Sequence, residues 1–219
     1  MSASPLTPKV ARGALVGVDA FNPVASLVVF QYNPDQLTRT LTPQYSGGGT
    51  ASAGGGADPV RLSGPPQESV RLEIQFEATD RLEADRPGAM DTGVLPQLSA
   101  LEMLLYPKTA KVIADEVLIR AGLIEVVPPE APLTLLVWGA RRVLPVRITE
   151  FTVTEQMFGP GLVPIHAKVA LGLRVLNYRD LGVLSPGGAL FLAHQVAKEA
   201  LATLNASDGL PALAGLPGI

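Results

Sequence analysis

The chain has 219 residues, a net charge of −3, a pI of about 5.4 and no cysteine. Disulfides, thiol nucleophiles and cysteine-ligated metals are excluded, and the charge gives no argument for nucleic-acid binding. Hydrophobic residues make up 47 % and charged residues only 17 %, against a usual fraction of about a quarter charged, so part of the surface is expected to lie in interfaces with partners.

No apolar run approaches the roughly twenty residues of a membrane span. The N-terminus lacks the basic patch and long apolar segment of a secretory leader, so cytoplasmic synthesis and assembly are expected. Residues 1–9 read as a loose arm, with two prolines and small polar residues. Residues 15–18 suit a first strand. Residues 25–32, ASLVVFQY, suit a better one, apolar at both parities and so expected to be buried on both faces. Asn33, Pro34 and Asp35 end it in a turn, because proline removes a donor and asparagine tolerates unusual dihedrals. Residues 37–41 resume the extended chain. Residues 46–59, SGGGTASAGGGADP, read as a Gly-rich surface loop.

Residues 69–78 alternate cleanly. Val70, Leu72, Ile74, Phe76 and Ala78 take one face, and Arg71, Glu73, Gln75 and Glu77 the other. This is the period-two signature of a half-buried strand, whose polar face meets water or a lumen. Residues 79–93 read as a loop. Residues 94–105 carry Leu98, Leu101, Met103, Leu104 and Leu105 at spacings that suit a short helix, with Pro96 in its first turn. Residues 112–127 fit helix or strand equally, and Pro128 and Pro129 stop them.

The stretch over residues 132–178 organises the chain. A short run ends at Trp138 and Gly139. A second run covers residues 143–158, a turn follows at Gly159, Pro160 and Gly161, and a third run covers residues 163–178. In the third run Ala167, Val169, Leu171, Leu173 and Val175 share one parity, while His166, Lys168 and Arg174 take the other. A long antiparallel hairpin follows from this pattern. In its first strand Val146 and Ile148 share one parity and Phe151 and Val153 the other, so a bulge or a change of buried face is expected between Ile148 and Phe151. Ser185 and Pro186 read as a helix start, with a helix over residues 188–204 and an apolar stripe at Leu190, Ala197, Leu201 and Leu204. The Gly-Pro tail is expected to fray. With the segment after Ser185, it is expected to dock on a partner and to be ill-ordered in the isolated subunit.

The residues offer little chemistry. His166 and His194 have no partner at metal-ligand spacing and read as surface or interface histidines. Glu73 and Glu77 share a strand face, which raises a glycosidase reading because that chemistry needs two flanking carboxylates, but Arg71 and Gln75 share it too, which favours a solvated or salt-bridged face. The Gly-rich segment has no lysine and opens no helix, so it makes a poor phosphate loop. Trp138 reads as core rather than as a stacking platform. No catalytic residue, cofactor or metal is expected.

Three blocks carry a resemblance. The first is Phe30-Gln31-Tyr32-Asn33-Pro34, a strand ending in an F-x-Y/F-N-P pattern. The second is the alternating strand of residues 70–80, ending in a threonine-acid turn, with the helix of residues 95–105 behind it. The third is the P-x-L-x-x-x-W-G strand of residues 132–139, with the hairpin of residues 143–178 behind it. In order and spacing these resemble the tube and tube-initiator baseplate proteins of contractile injection systems, the phage-tail-like particles of bacteria, over residues 25–178. The nearest likeness is to members that add a C-terminal LysM module, but no LysM-like segment follows Tyr178.

The resemblance implies a mainly β fold with α elements. It would be a barrel-like tube domain over residues 1–183, with one packed helix, and a C-terminal helix and Gly/Pro tail over residues 184–219. It implies a non-enzymatic structural subunit. Six copies would form a ring that joins the inner tube to the spike or hub protein and other baseplate subunits, in a particle that acts outside the cell or is released from it. Candidate interface or lumen residues are Arg71, Glu73, Gln75, Glu77, Gly159, Pro160, Gly161, Lys168 and Arg174. The rival is a free-standing β-rich protein-binding module. A hydrolase built on Glu73 and Glu77 is the weaker alternative.

Overall fold

The computed structural model describes residues 11–18, 26–45, 62–79, 89–121, 132–159 and 161–213. Among them, seven strands form one antiparallel sheet: β1 (Ala14–Val18), β2 (Ser26–Val29), β3 (Leu37–Tyr45), β4 (Leu62–Glu77), β5 (Leu133–Val137), β6 (Val143–Phe158) and β7 (Pro164–Val175). Their order is β2-β1-β5-β6-β7-β4-β3, so β2 and β3 are edges and the sheet is not closed. The helices are α1 (Ala89–Thr92), α2 (Leu95–Glu102), α3 (Thr109–Arg120), α4 (Tyr178–Leu181) and α5 (Pro186–Leu213). No helix among the described residues is long and apolar enough to cross a membrane. The expected N-terminal arm, the Gly-rich loop of residues 46–59, Pro128, Pro129 and Pro160 lie outside the described residues.

Alternation decides which face is buried. Val70, Leu72, Ile74 and Phe76 of β4 are buried on one face, and Ala167, Val169, Leu171, Leu173 and Val175 of β7 continue it. Leu15, Phe30, Leu136, Leu144 and Val146 extend the same core, and α2 covers it with Leu98 and Leu101. Each large apolar side chain buried this way contributes about 1.5–3 kcal/mol relative to exposure. Pro96 sits in the first turn of α2, where its missing N–H costs nothing. The Val94 N–H just before it donates to the Pro164 carbonyl at 3.0 Å, which anchors the helix start to β7. The β5–β6 turn closes with the Trp138 N–H on the Arg142 carbonyl at 2.7 Å. Gly139 takes a φ of 76° there, a conformation that a side chain would strain.

The phase slip in β6 is a bulge. Ile148 pairs with Leu173 and Glu150 with Gly172, leaving Thr149 as the extra residue. Phe151 and Val153 therefore lie opposite Leu171 and Val169 and pack on the same core. The buried face does not change.

Four expectations are corrected. β2 is an edge strand with one buried face: Val28 is buried, while Leu27 and Val29 are exposed. Apolar residues at both parities imitated a central strand. β4 begins at Leu62, well before residue 69, although Pro65 and Pro66 lie within it. The expected loop of residues 79–93 contains the short helix α1; residues 80–88 and 122–127 lie outside the described residues. The described part of the ambiguous stretch belongs to α3. This helix buries none of its residues. It carries an i,i+4 pair, the Arg120 Nε donating to Glu116 Oε1 at 2.8 Å.

The fourth correction concerns α5. Ser185 caps it, accepting from the Gly188 N–H at 3.0 Å, with Pro186 in first position. Its first half packs on this chain's own core: Phe191 is buried and meets the Tyr178 ring edge-on at 6.0 Å. Docking on a partner is therefore not needed to bury that half. The helix continues to Leu213, past the expected end at Leu204, and residues 199–205 are exposed.

One connection ties the sheet's edge to its far side. After β2 the Phe30 N–H donates to the Gly13 carbonyl at 2.8 Å. The Gln31 side-chain amide then bonds both backbone groups of Glu77 on β4: its Nε2 donates to the Glu77 carbonyl at 3.0 Å, and its Oε1 accepts from the Glu77 N–H at 2.9 Å. Asn33 makes a similar clasp, accepting from the Gly13 N–H and donating to the Ala11 carbonyl, both at 2.9 Å. The Phe30-to-Pro34 segment thus works through its amide side chains.

Candidate functional site

The polar face of β4 and β7 lies opposite the core, and its residues stand in register. Arg71 pairs with Gly172, Glu73 with Ala170, Gln75 with Lys168 and Glu77 with His166. On the other side of β7, Glu150 pairs with Gly172, Thr152 with Ala170, Thr154 with Lys168 and Gln156 with His166. Six of the sequence-predicted residues, Arg71, Glu73, Gln75, Glu77, Lys168 and Arg174, therefore share one continuous face. From Arg174 to His166 it runs about 27 Å at the usual strand rise. Lys168 lies diagonal to Glu73 and Glu77, within reach of mixed-charge neighbours. Arg174 at the far end donates to Asp180 of α4 at 2.9 Å. That aspartate also receives the Asn177 N–H, in a capping box that starts the helix.

The hairpin tip stands beyond the Glu77–His166 rung. The last pair of the hairpin is Phe158 with Pro164. Gly159 and Gly161 belong to the tip. The Gly159 N–H donates to the Val163 carbonyl at 2.8 Å, and the Leu162 N–H donates to the Gly159 carbonyl at 3.0 Å. Met157, Phe158 and Leu162 are 71 %, 53 % and 81 % exposed. Met157 and Leu162 also have positive φ angles of 55° and 58°, a conformation that non-glycine residues rarely hold and that stores strain.

The sequence did not reveal a groove on the polar face. The loop after β2 stands beside β4 and encloses a half-open cavity of about 700 Å³. Tyr32, Asp35, Arg71, Glu73, Gln75 and Glu150 line it. Gly172 makes room in the strand: a Cβ there would meet the Glu150 Cβ at 2.8 Å. Glu150 reaches this face only because of the bulge at Thr149, which parity counting alone places ambiguously.

A second cluster was also missed. Glu68 has the parity of Val70 and is buried at 4 % exposure. Arg39 of β3 and Lys198 of α5 hold its two carboxylate oxygens. An acid in phase with a run of core residues was the available signal. His194, one turn before Lys198, is half-buried with both ring nitrogens covered, so it is not an ordinary surface histidine. His166 stays on the polar face between Glu77 and Gln156. Trp138 packs against Phe30, ring centroids 6.4 Å apart.

Glu73 and Glu77 are two rungs apart on one strand, about 13 Å along its axis. Carboxylates that flank a glycosidic bond stand roughly 5–9.5 Å apart, so the face does not offer that geometry from this pair. Among the described residues, no group of three or more His, Cys, Asp or Glu side chains could hold a metal ion. No protein-family model matches the sequence, and no curated protein matches it.

Proposed function

We propose that this chain is a structural subunit of a contractile injection particle, forming a ring of about six copies between inner tube and spike. The barrel-like closure of its tube domain belongs to the same proposal: six open sheets joined edge to edge have no free edges. The three sequence blocks support the reading, because the second and third contribute strands to one sheet and the first, just after β2, clasps the second through Gln31 and Glu77. The observation that carries it is the tip of the β6–β7 hairpin. Three exposed apolar side chains and two backbone positions of positive φ stand together there; strained positions cluster at functional sites and exposed apolar groups at interaction sites.

Light scattering and negative-stain electron microscopy of the purified protein test the proposal. Rings are expected from the unaltered chain, and monomers from a triple variant in which Met157, Phe158 and Leu162 become Ser. An unaltered chain that stays monomeric at high concentration and is missing from purified particles by mass spectrometry would sink the reading. The groove over Arg71 favours a second reading, a free-standing binding module. That module would keep its function in the tip variant.

A further inference from the structure

We propose that Glu68 is an acid-labile latch that ties α5 to β3 and β4 at the point where the helix leaves the core, and that acidification loosens α5 there while the strands stay paired. The Glu68 carboxylate joins three elements. Its Oε1 accepts from Arg39 Nη2 at 2.6 Å and Nε at 2.7 Å, and its Oε2 accepts from Lys198 Nζ at 3.3 Å. Lys198 is half-buried, and residues 199–205 of α5 beyond it are exposed. Lys198 thus stands at the boundary between the packed and the exposed part of the helix.

The charged and titratable groups around the latch come from three sides. Arg39 faces Glu68 from β3, Lys198 and His194 face it from α5, and the Arg141 backbone approaches His194 from the β5–β6 turn. Protonating Glu68 removes the one negative charge between Arg39 and Lys198 and leaves two cations facing each other. Burial alone would push the Glu68 carboxyl up, but the hydrogen bonds and charges of Arg39 and Lys198 bring it below its ordinary 4.5. A carboxyl lowered by folding stabilises the closed state fully above 4.5, and that contribution is lost as pH falls through the lower folded value.

His194 acts in the same sense. Burial and then Lys198 hold it below its ordinary 6.5, against the pull of the Arg141 backbone and Glu68. It favours the closed state when neutral, and below 6.5 its protonation works against closure and adds a third positive charge.

The test uses the full chain, which has no native cysteine to interfere. Nitroxide labels go on a Thr42→Cys, Ala202→Cys double variant, both exposed sites on β3 and α5, and the label separation is measured at pH 7 and at about pH 3, well below the ordinary carboxyl range. Far-UV circular dichroism follows the sheet in the same samples. The expected result is a narrow distribution at pH 7 that broadens at the acid pH with the sheet signal kept. Adding Lys198→Met, which cuts only the helix side and leaves Arg39 on Glu68, should broaden it already at pH 7. Adding Glu68→Gln should make the distribution broad at both pH values. The proposal is overturned if the width is the same at both pH values in the unaltered background, if the sheet signal disappears together with the narrow distance, if Lys198→Met stays narrow at pH 7, or if Glu68→Gln stays narrow at pH 7.

Discussion

The β4–β7 ladder has two faces built on one register. On one, Ile74 lies beside Val169 and Phe76 beside Ala167, all buried. On the other, Gln75 lies beside Lys168 and Glu77 beside His166, at the edge of an open groove. The backbone energetics of the two faces are identical, so the difference lies in the side chains. The core face holds the fold by burying area. The polar face makes a small demand on stability and is available for binding.

The comparison predicts a graded response. Phe76→Ala should cost about 3–5 kcal/mol in urea unfolding, the range for an aromatic truncated in a packed core. A loss under about 1 kcal/mol would show that the core face is looser than its burial implies. Gly172→Leu tests the floor of the groove, where Glu150 closes on the glycine. It should cost about 1–3 kcal/mol through overpacking and reduce the groove. A stable variant with a full-sized groove would mean that Glu150 simply swings aside. Glu73→Gln should change stability by no more than about 0.5 kcal/mol, while remaining free to alter assembly. A larger loss by thermal melting would mean that the polar face also carries the fold.

Much of this ladder was legible because alternation reports burial directly. Val169, Leu171 and Leu173 gave β7, and Arg71 to Glu77 gave the polar face. Legibility failed where a second constraint overrode the pattern. Leu27 and Val29 are apolar but exposed, because edge position follows from topology, which periodicity does not encode. Pro65 and Pro66 masked the start of β4, since proline ordinarily argues against a paired strand. Gly209 and Pro211 made the end of α5 look like a tail. Glu150 joined the groove through a one-residue bulge, and Tyr32 and Asp35 joined it through a loop crossing whose direction depends on the whole sheet. Glu68 was readable by parity, but its partners Arg39 and Lys198 are contacts at long sequence separation that only the fold brings together.

The position of β1 in the sheet has a consequence for timing. β1 sits between β2 and β5, and Ala14 pairs with Val137, a contact roughly 120 residues apart in the chain, of the kind that slows folding. The β5–β6–β7 meander and the β3–β4 pair can form from neighbouring segments. The first strand cannot complete its ladder until β5 has left the ribosome, on the order of ten seconds later at ordinary synthesis rates. During that interval Leu15 and Val16 have β2 on one side and no strand on the other. In that interval β1 is open to mispairing, and β5 supplies the partner that ends the exposure.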